Sequence, residues 1–225
     1  MSRFYTNVST RGDKILYRGY ENGKRVEGRI DYRPTLFVST DKSSKYHTMD
    51  GRSVESFQPG SMSDCRDFIL RHESVTGFDI YGNTDYIYQF IGDKFPDEVE
   101  YDKKQVRVAY LDIETTAENG FPQVKNPTER VNVITLIVDD REYVFALGDC
   151  TMPDNITTYT FTNEKDLLER FLDIWEGEDP DIVTGWNVKF FDMPYLYARM
   201  DRVIEKRAKK LSPWGVVRQR DVQTQ

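Results

Sequence analysis

Two carboxylates stand one residue apart at the end of an apolar, strand-forming run. The run begins at Val106 and ends in Asp112-Ile113-Glu114. Side chains at positions i and i+2 of a β-strand share a face, so Asp112 and Glu114 would face one point and Ile113 the opposite layer. Two converging acids repel each other unless a cation lies between them, and oxygen ligands suit Mg²⁺ or Mn²⁺ better than zinc. Such a pair is also often found at a solvated strand edge or in a cap, so the pair alone does not establish a metal site.

A second stretch supplies a third acid. A short apolar strand around Val183 leads into Gly185 and Asn187, and Asp192 follows where a helical pattern begins. Asp192 is therefore either an N-cap or first-turn acid, as aspartate frequently is, or a third metal-facing carboxylate. Asn187 would then be a nearby hydrogen-bonding group.

These stretches resemble the DnaQ-like 3′→5′ exonucleases. Asp112-Ile113-Glu114 is similar to their first motif, and Asn187 with Phe191-Asp192 is similar to their second, Asn-x₂₋₃-(Phe/Tyr)-Asp. More widely, nearly the whole chain resembles the N-terminal and exonuclease domains of the family B DNA polymerases of T-even-type bacteriophages. The stretches that carry this wider resemblance are Tyr32-Arg-Pro-Thr-Leu-Phe37, Arg107-Val-Ala-Tyr-Leu-Asp-Ile-Glu114, Asn119-Gly-Phe-Pro122 and Thr184-Gly-Trp-Asn187 with Phe191-Asp192.

The resemblance implies two-metal hydrolysis of a phosphodiester at a primer 3′ end. Its catalytic and metal-binding residues would be Asp112, Glu114 and Asp192. Asp112 would bridge two Mg²⁺ or Mn²⁺ ions, Glu114 would hold the first ion and orient its water, and Asp192 would serve the second.

The resemblance also implies contacts to single-stranded DNA. Phe121 matches a position that stacks against unpaired primer bases, although this side chain could simply anchor its loop. Asn187 matches one that helps hold the primer end. The implied DNA-binding residues are thus Phe121, Asn187 and Phe191.

Length and composition indicate one large domain or two modest domains, with packed cores. It has 225 residues, 38% of them hydrophobic and 13% aromatic, and a net charge of −7 that argues against indiscriminate binding of polyanions. The two cysteines, Cys65 and Cys150, lack metal spacing and indicate reduced thiols. No run could span a membrane and no signal-peptide core opens the chain, so we expect a cytoplasmic protein, in the host cytoplasm if viral.

The pattern of elements predicts two domains. Residues 1–104 are expected to form an α+β domain, with a helix over Ser63–Glu73, a late strand over Asp85–Phe90 and a linker over 92–104. Residues 105–225 are expected to form an α/β, RNase H-like (DnaQ-like) exonuclease domain with a mixed sheet. Its predicted elements are an antiparallel meander of three strands ending near residue 147, a short strand over 157–161, a helix over 164–175, a strand over 181–184 and a helix from Asp192.

The N-terminal domain interleaves Tyr and Phe with Arg and Lys. This composition suits base stacking and phosphate contact, but aromatic residues in a sheet more often form core and cross-strand pairs. The resemblance implies a domain that packs beside the exonuclease and, in some members, binds the polymerase's own messenger RNA as a translational repressor.

The chain departs from the family in its third motif, Tyr-x₃-Asp, which has no candidate before Gln225. A basic segment over 206–220 stands there instead, either a solvated helix end or a segment near DNA phosphates. Because palm, fingers and thumb also lack counterparts, we expect a C-terminally truncated or split piece of a polymerase. Alone it would not polymerise and would show weak or absent nuclease activity. The alternatives are an autonomous exonuclease and a nucleic-acid-binding, repressor-like module with an incomplete nuclease site.

Overall fold

The computed structural model describes residues 3–218, and its contacts divide the chain into two compact units. The division falls between Gln105 and Val106. No helix within residues 3–218 is long and apolar enough to cross a membrane. The two cysteines are both free thiols, with Cys65 buried and Cys150 partly exposed.

The N-terminal unit contains two antiparallel sheets. The first consists of β1 (Arg3–Arg11), β2 (Lys14–Glu21) and β3 (Lys24–Asp31) in sequence order. The second has the order β5-β6-β4-β7, with β4 (Leu36–Ser39), β5 (Tyr46–His47), β6 (Ser53–Phe57) and β7 (Ile80–Tyr81). The β2–β3 turn holds Asn22 and Gly23 at φ of 54° and 78°. Asparagine and glycine tolerate this left-handed region, which the tight hairpin requires.

Two helices complete this unit, and one of them lies where the sequence predicts a strand. Helix α1 (Met62–His72) confirms the helix predicted over Ser63–Glu73. The segment Asp85–Phe90, predicted as a strand, instead begins helix α2 (Tyr86–Lys94), which also occupies the start of the predicted linker. The Asp85 side chain caps α2 by accepting a hydrogen bond from the Ile87 amide at 3.2 Å. Tyr86 and Phe90, four residues apart, are both buried on one face of the helix. The sequence of this segment also fits a strand, so this helical spacing did not stand out.

The C-terminal unit is built on a mixed, five-stranded sheet. Its strands are β8 (Val108–Thr115), β9 (Val131–Val138), β10 (Arg141–Leu147), β11 (Thr157–Phe161) and β12 (Ile182–Thr184). Strands β8, β9 and β10 form the predicted antiparallel meander. Strand β11 then pairs parallel to β10 and β12 parallel to β8, which gives the order β11-β10-β9-β8-β12. The unit is therefore α/β with both kinds of strand pairing.

Two helices share one hydrophobic core with this sheet. They are α3 (Glu164–Glu178), capped by Asn163, and α4 (Asp192–Ile204). Strand β8 contributes its alternate residues Ala109, Leu111 and Ile113 to the core, where Phe171 of α3 is fully buried. Burying a side chain of this size stabilises a fold by about 1.5–3 kcal/mol. Because these residues of β8 face the core, the acids between and after them, Asp112 and Glu114, lie on the opposite face of the strand.

The described part of the basic C-terminal segment lies against α3. A 3₁₀ helix spans Glu205–Leu211. Its Arg207 lies 2.8 Å from the Glu169 carboxylate, and its Lys210 lies 2.8 Å from the Glu176 carboxylate. These pairs favour the interpretation as a helix end, while residues 219–225 lie outside the described range.

Candidate active site

The end of β8 presents Asp112 and Glu114 on one open face. Both are exposed, while Leu111 and Ile113 keep only 2% and 6% of their surface. The alternation predicted for this strand is therefore confirmed. The pairing with β9 shifts register directly after Glu114. A bulge of this kind bends a strand and redirects the side chains beside it.

Asp192 reaches β8 because β12 ends early. Strand β12 pairs with β8 only as far as Tyr110, opposite Thr184. Beyond that point the Asp192 carboxylate accepts a hydrogen bond from the Ile113 amide at 3.3 Å. Asp192 is the first residue of α4 and is 4% exposed. The first-turn position foreseen from the sequence is thus observed, with the carboxylate at the backbone between the two strand acids.

Gly185 allows this close approach, and its replacement has a measurable cost. A Cβ at Gly185 would lie 2.3 Å from the Leu111 carbonyl oxygen, a backbone atom that cannot turn away. We expect Gly185→Ala to lower the free energy of unfolding by about 1–3 kcal/mol, as overpacking does. Urea unfolding measures this. The control is Gly177→Ala on α3, which has open space and should stabilise by about 0.5–1 kcal/mol. Equal effects of the two changes would contradict the close approach.

The three carboxylates interact electrostatically. Burial raises the pKa of the Asp192 carboxyl above its ordinary value, and the charges of Asp112 and Glu114 raise it further. The hydrogen bond from the Ile113 amide acts in the opposite direction. Ionised together, the three groups therefore carry a repulsive energy that a divalent cation would relieve.

The donor set suits a hard divalent cation, although the side chains do not form a closed cage. Asp112, Glu114 and Asp192 offer only carboxylate oxygens, which Mg²⁺ and Mn²⁺ prefer. Across residues 3–218 no group of three or more His, Cys, Asp or Glu side chains is arranged so that it could hold a metal ion. The acids thus fit the predicted cation by chemistry and charge, and their role in binding it stays a prediction.

Phe121 lies beside Phe191, the residue that directly precedes Asp192. Phe121 is 80% exposed and its ring centroid lies 5.7 Å from that of Phe191. Phe191 in turn stacks on Tyr195 of α4 at 5.4 Å, with ring planes 25° apart. Because its side chain is mostly in solvent, Phe121 does not anchor its loop by burial.

Asn187 shapes the turn that leads into α4. It adopts a left-handed φ of 59°, which asparagine tolerates better than most residues. Its carbonyl accepts hydrogen bonds from the amides of Phe190 and Phe191 at 2.9 and 3.0 Å. The side chain is exposed, so it is available to a ligand. Its predicted contact with a primer end remains a prediction.

Glu129 is a buried acid that sequence reasoning missed. It lies at the end of the loop between β8 and β9, keeps 3% of its surface, and accepts hydrogen bonds from the Thr116 hydroxyl, the Asn119 side chain and two backbone amides. The Thr116 and Asn119 side chains, helped by these amides, lower its pKa to about 2. Nothing in the sequence distinguishes Glu129 from neighbouring solvated acids such as Glu118.

The lowered pKa of Glu129 predicts how stability depends on pH. The unfolded chain, with an ordinary value of 4.5, binds more protons than the folded protein between pH 4.5 and about 2. The contribution of Glu129 to stability is therefore present above pH 4.5 and lost as the pH falls through this window. We expect Glu129→Gln to be less stable than the wild type at pH 6 and to lose most of this difference by pH 2, as measured by urea unfolding. A difference that persists unchanged near pH 2 would contradict this.

A buried ion pair fixes α4 to the same loop. Arg199 of α4 donates to both carboxylate oxygens of Glu164, at 2.8 and 2.7 Å. It also donates to the carbonyls of Pro127 and Thr128, at 2.8 and 3.0 Å. The Glu164 carboxylate further accepts from the Val131 amide at 2.8 Å. This network joins the helix that carries Asp192 to both the loop and the start of β9.

Comparison with known proteins agrees with the family suggested by the motifs. Residues 74–225 match the family described as DNA polymerase family B, exonuclease domain. The chain is 32% identical to the DNA-directed DNA polymerase of Enterobacteria phage T4, over 99% of this chain and 28% of the relative. It is 33% identical to that of Escherichia phage RB69, over 95% of this chain and 27% of the relative. The DNA polymerase catalytic subunit of Human herpesvirus 6A is 36% identical over 41% of this chain and 10% of the relative.

Proposed function

Because the chain belongs to the exonuclease-domain family of family B DNA polymerases, we propose that it hydrolyses phosphodiesters at a DNA 3′ end as a proofreading module. The observation that carries this proposal is the position of Asp192, whose carboxylate binds the amide between Asp112 and Glu114. This bond attaches the first residue of α4 to the end of β8 that carries the other two acids, which supports a shared site for the three carboxylates. The family is one of divalent-metal-dependent nucleases, and we propose Mg²⁺ or Mn²⁺ as the ion.

The sheet supports an RNase H-like fold for this unit. Its first three strands form an antiparallel meander, and after helix α3 the strand β12 returns parallel to β8. Helix α4 then starts with Asp192. The hydrogen bond from the Ile113 amide to Asp192 links α4 to the end of β8, and this supports the proposed chemistry.

Each of the three carboxylates would have its own role in the reaction. Asp112, Glu114 and Asp192 would hold the divalent ions, which when bound supply charge neutralisation at the phosphate and a water of lowered pKa. The exposed Glu114 carboxylate is suited to accept a hydrogen bond from the attacking water and so orient it. The buried Asp192 carboxylate is kept in place by its bond to the Ile113 amide.

Aromatic and amide side chains would bind the strand that is cut. The exposed ring of Phe121 offers a face on which an unpaired base can stack, and Phe191 lies beside it. The exposed Asn187 amide can both donate to and accept from a terminal nucleotide. An unpaired 3′ end reaches these groups more easily than a paired end, which would give the preference that proofreading needs.

We propose that the partners are single-stranded DNA ends and the other domains of a polymerase. The chain spans little more than a quarter of its phage relatives, which are named DNA-directed DNA polymerases. Those other domains would act in cis or on another chain. The comparisons do not favour a repressor-like module, and RNA binding by the N-terminal unit stays a prediction.

The proposal is tested by the polarity and metal dependence of cleavage. A single-stranded oligonucleotide labelled at its 5′ end is incubated with excess protein, with Mn²⁺, with Mg²⁺ or with chelator. We expect slow, stepwise shortening from the 3′ end that requires the metal ion. A 3′-phosphorothioate linkage on the same oligonucleotide should slow this shortening. Internal cleavage, or shortening that survives the chelator, would contradict the proposal.

A further inference from the structure

Both oxygens of the Glu129 carboxylate accept hydrogen bonds from residues of the same loop. One oxygen accepts from the Asn119 amide at 3.0 Å and from the Asn119 side chain at 2.9 Å. The other accepts from the Glu118 amide at 3.0 Å and from the Thr116 hydroxyl. A carboxylate accepts about four hydrogen bonds, so Glu129 has none left for a metal ion or a substrate. Its function must therefore be to hold the chain around it.

Glu129 also holds the helix that carries Asp192. Its backbone carbonyl accepts a hydrogen bond from the Tyr195 hydroxyl at 2.8 Å. Tyr195 is fully buried, lies three residues after Asp192 on α4, and stacks on Phe191. Glu129 thus binds the start of the loop, residues 116–119, through its side chain. It binds α4 through its backbone carbonyl.

Phe121 lies close in the chain to the residues whose donors bind Glu129. It follows Asn119 by two residues, and between them Gly120 has a φ of 99°, a conformation that only glycine adopts readily. With 80% of its surface exposed, Phe121 receives little support from packing. The hydrogen bonds from Asn119 to Glu129 are thus the contacts of this loop nearest in the chain to the exposed Phe121 ring.

We propose that Glu129 is a positioning residue that sets the Phe121 ring beside Phe191 for stacking on an unpaired base. This inference rests on the proposed function for its ligand, a single-stranded DNA end. It assigns the organisation of the loop to a residue that makes no contact with the substrate. The loop holds its shape at neutral pH because the carboxylate is ionised and matches four donors.

Glu129→Gln separates this role from a simple contribution of charge. A carboxamide keeps the size of the side chain but presents an NH₂ group to donors at one end. The backbone amides of Glu118 and Asn119 cannot reorient, so hydrogen bonds are lost. The matched control is Glu118→Gln, because Glu118 lies in the same loop and its exposed side chain forms a surface ion pair with Arg130 at 3.6 Å.

The first measurement is hydrogen–deuterium exchange in the free protein. Glu129→Gln is expected to speed exchange in the peptide covering residues 116–121 by about tenfold, and Glu118→Gln to leave it unchanged. Unchanged exchange in Glu129→Gln would overturn the holding role. This readout needs no DNA and no activity, so it is independent of the proposed function.

The second measurement is a double-mutant cycle with Phe121→Ala. Its readout is the binding of a short oligothymidylate carrying a 3′-terminal 2-aminopurine, in Ca²⁺ so that hydrolysis is not required. We expect each single change to weaken binding by about tenfold, and Glu129→Gln to add nothing when Phe121 is already alanine. Independent, additive losses would overturn the link to Phe121. Binding without any 3′ shortening in Mn²⁺ would contradict the proposed function while leaving this inference standing.

Discussion

Asp112→Asn is expected to lower the rate of metal-dependent 3′ shortening by about 10³-fold or more, because a metal ion supplies several kcal/mol of transition-state stabilisation. Asparagine keeps the size of the side chain and one oxygen, but it removes the negative charge that would attract the cation. The strand should stay folded, since Asp112 is exposed on β8. Single-turnover shortening of a labelled oligonucleotide measures the effect.

The control for this prediction is Asp140→Asn in the turn between β9 and β10. Asp140 is also an exposed aspartate of the same unit, and its replacement is expected to leave the rate unchanged. A residual rate in Asp112→Asn within a few-fold of the wild type would show that hydrolysis does not depend on the β8 acids.

Arg199→Ala is expected to lower the free energy of unfolding of the C-terminal unit by about 3–5 kcal/mol, as breaking a buried ion pair does. Both side chains of the pair are largely shielded, at 10% exposure for Arg199 and 8% for Glu164. The change leaves the Glu164 carboxylate without its guanidinium partner, and it leaves the carbonyls of Pro127 and Thr128 without their donor. The loss is thus larger than that from a surface pair, which contributes about 0–1 kcal/mol.

Tryptophan fluorescence during urea unfolding measures this loss selectively. All three tryptophans, Trp175, Trp186 and Trp214, lie in the C-terminal unit. Arg202→Ala is the control, since Arg202 lies on the same helix and is exposed. If Arg199→Ala lowers the free energy of unfolding by less than about 1 kcal/mol, the pair contributes no more than a surface ion pair. That result would contradict its role in holding α4.

The placement of the acids on β8 was predictable because it follows from local chain geometry. Alternation in a strand depends only on the pleat, so the types of residue from Leu111 to Glu114 are enough to separate the core face from the open face. The hairpin at Asn22-Gly23 follows equally from two local residues, whereas the sequence leaves the cap of α3 open between Thr162 and Asn163, and the structure has Asn163.

Features that depend on distant partners were not predictable in this way. Asp85–Phe90 fits an alternating strand and a short helix equally well, and the buried positions of Tyr86 and Phe90 decide between them only in the folded unit. Glu129 owes its burial and its lowered pKa to donors 10 to 13 residues earlier in the chain. A single sequence does not indicate which of several loop acids those donors will surround.

A calorimetric titration of Mn²⁺ into the wild-type protein, Asp112→Asn and Asp140→Asn tests whether the carboxylates of β8 bind the cation. We expect the wild type and Asp140→Asn to bind Mn²⁺ with equal affinity and Asp112→Asn to bind at least about tenfold more weakly, because a ligand and its charge have been lost. Equal affinity in Asp112→Asn, or no binding in the wild type, would contradict the claim that the carboxylates at the end of β8 hold the divalent cation.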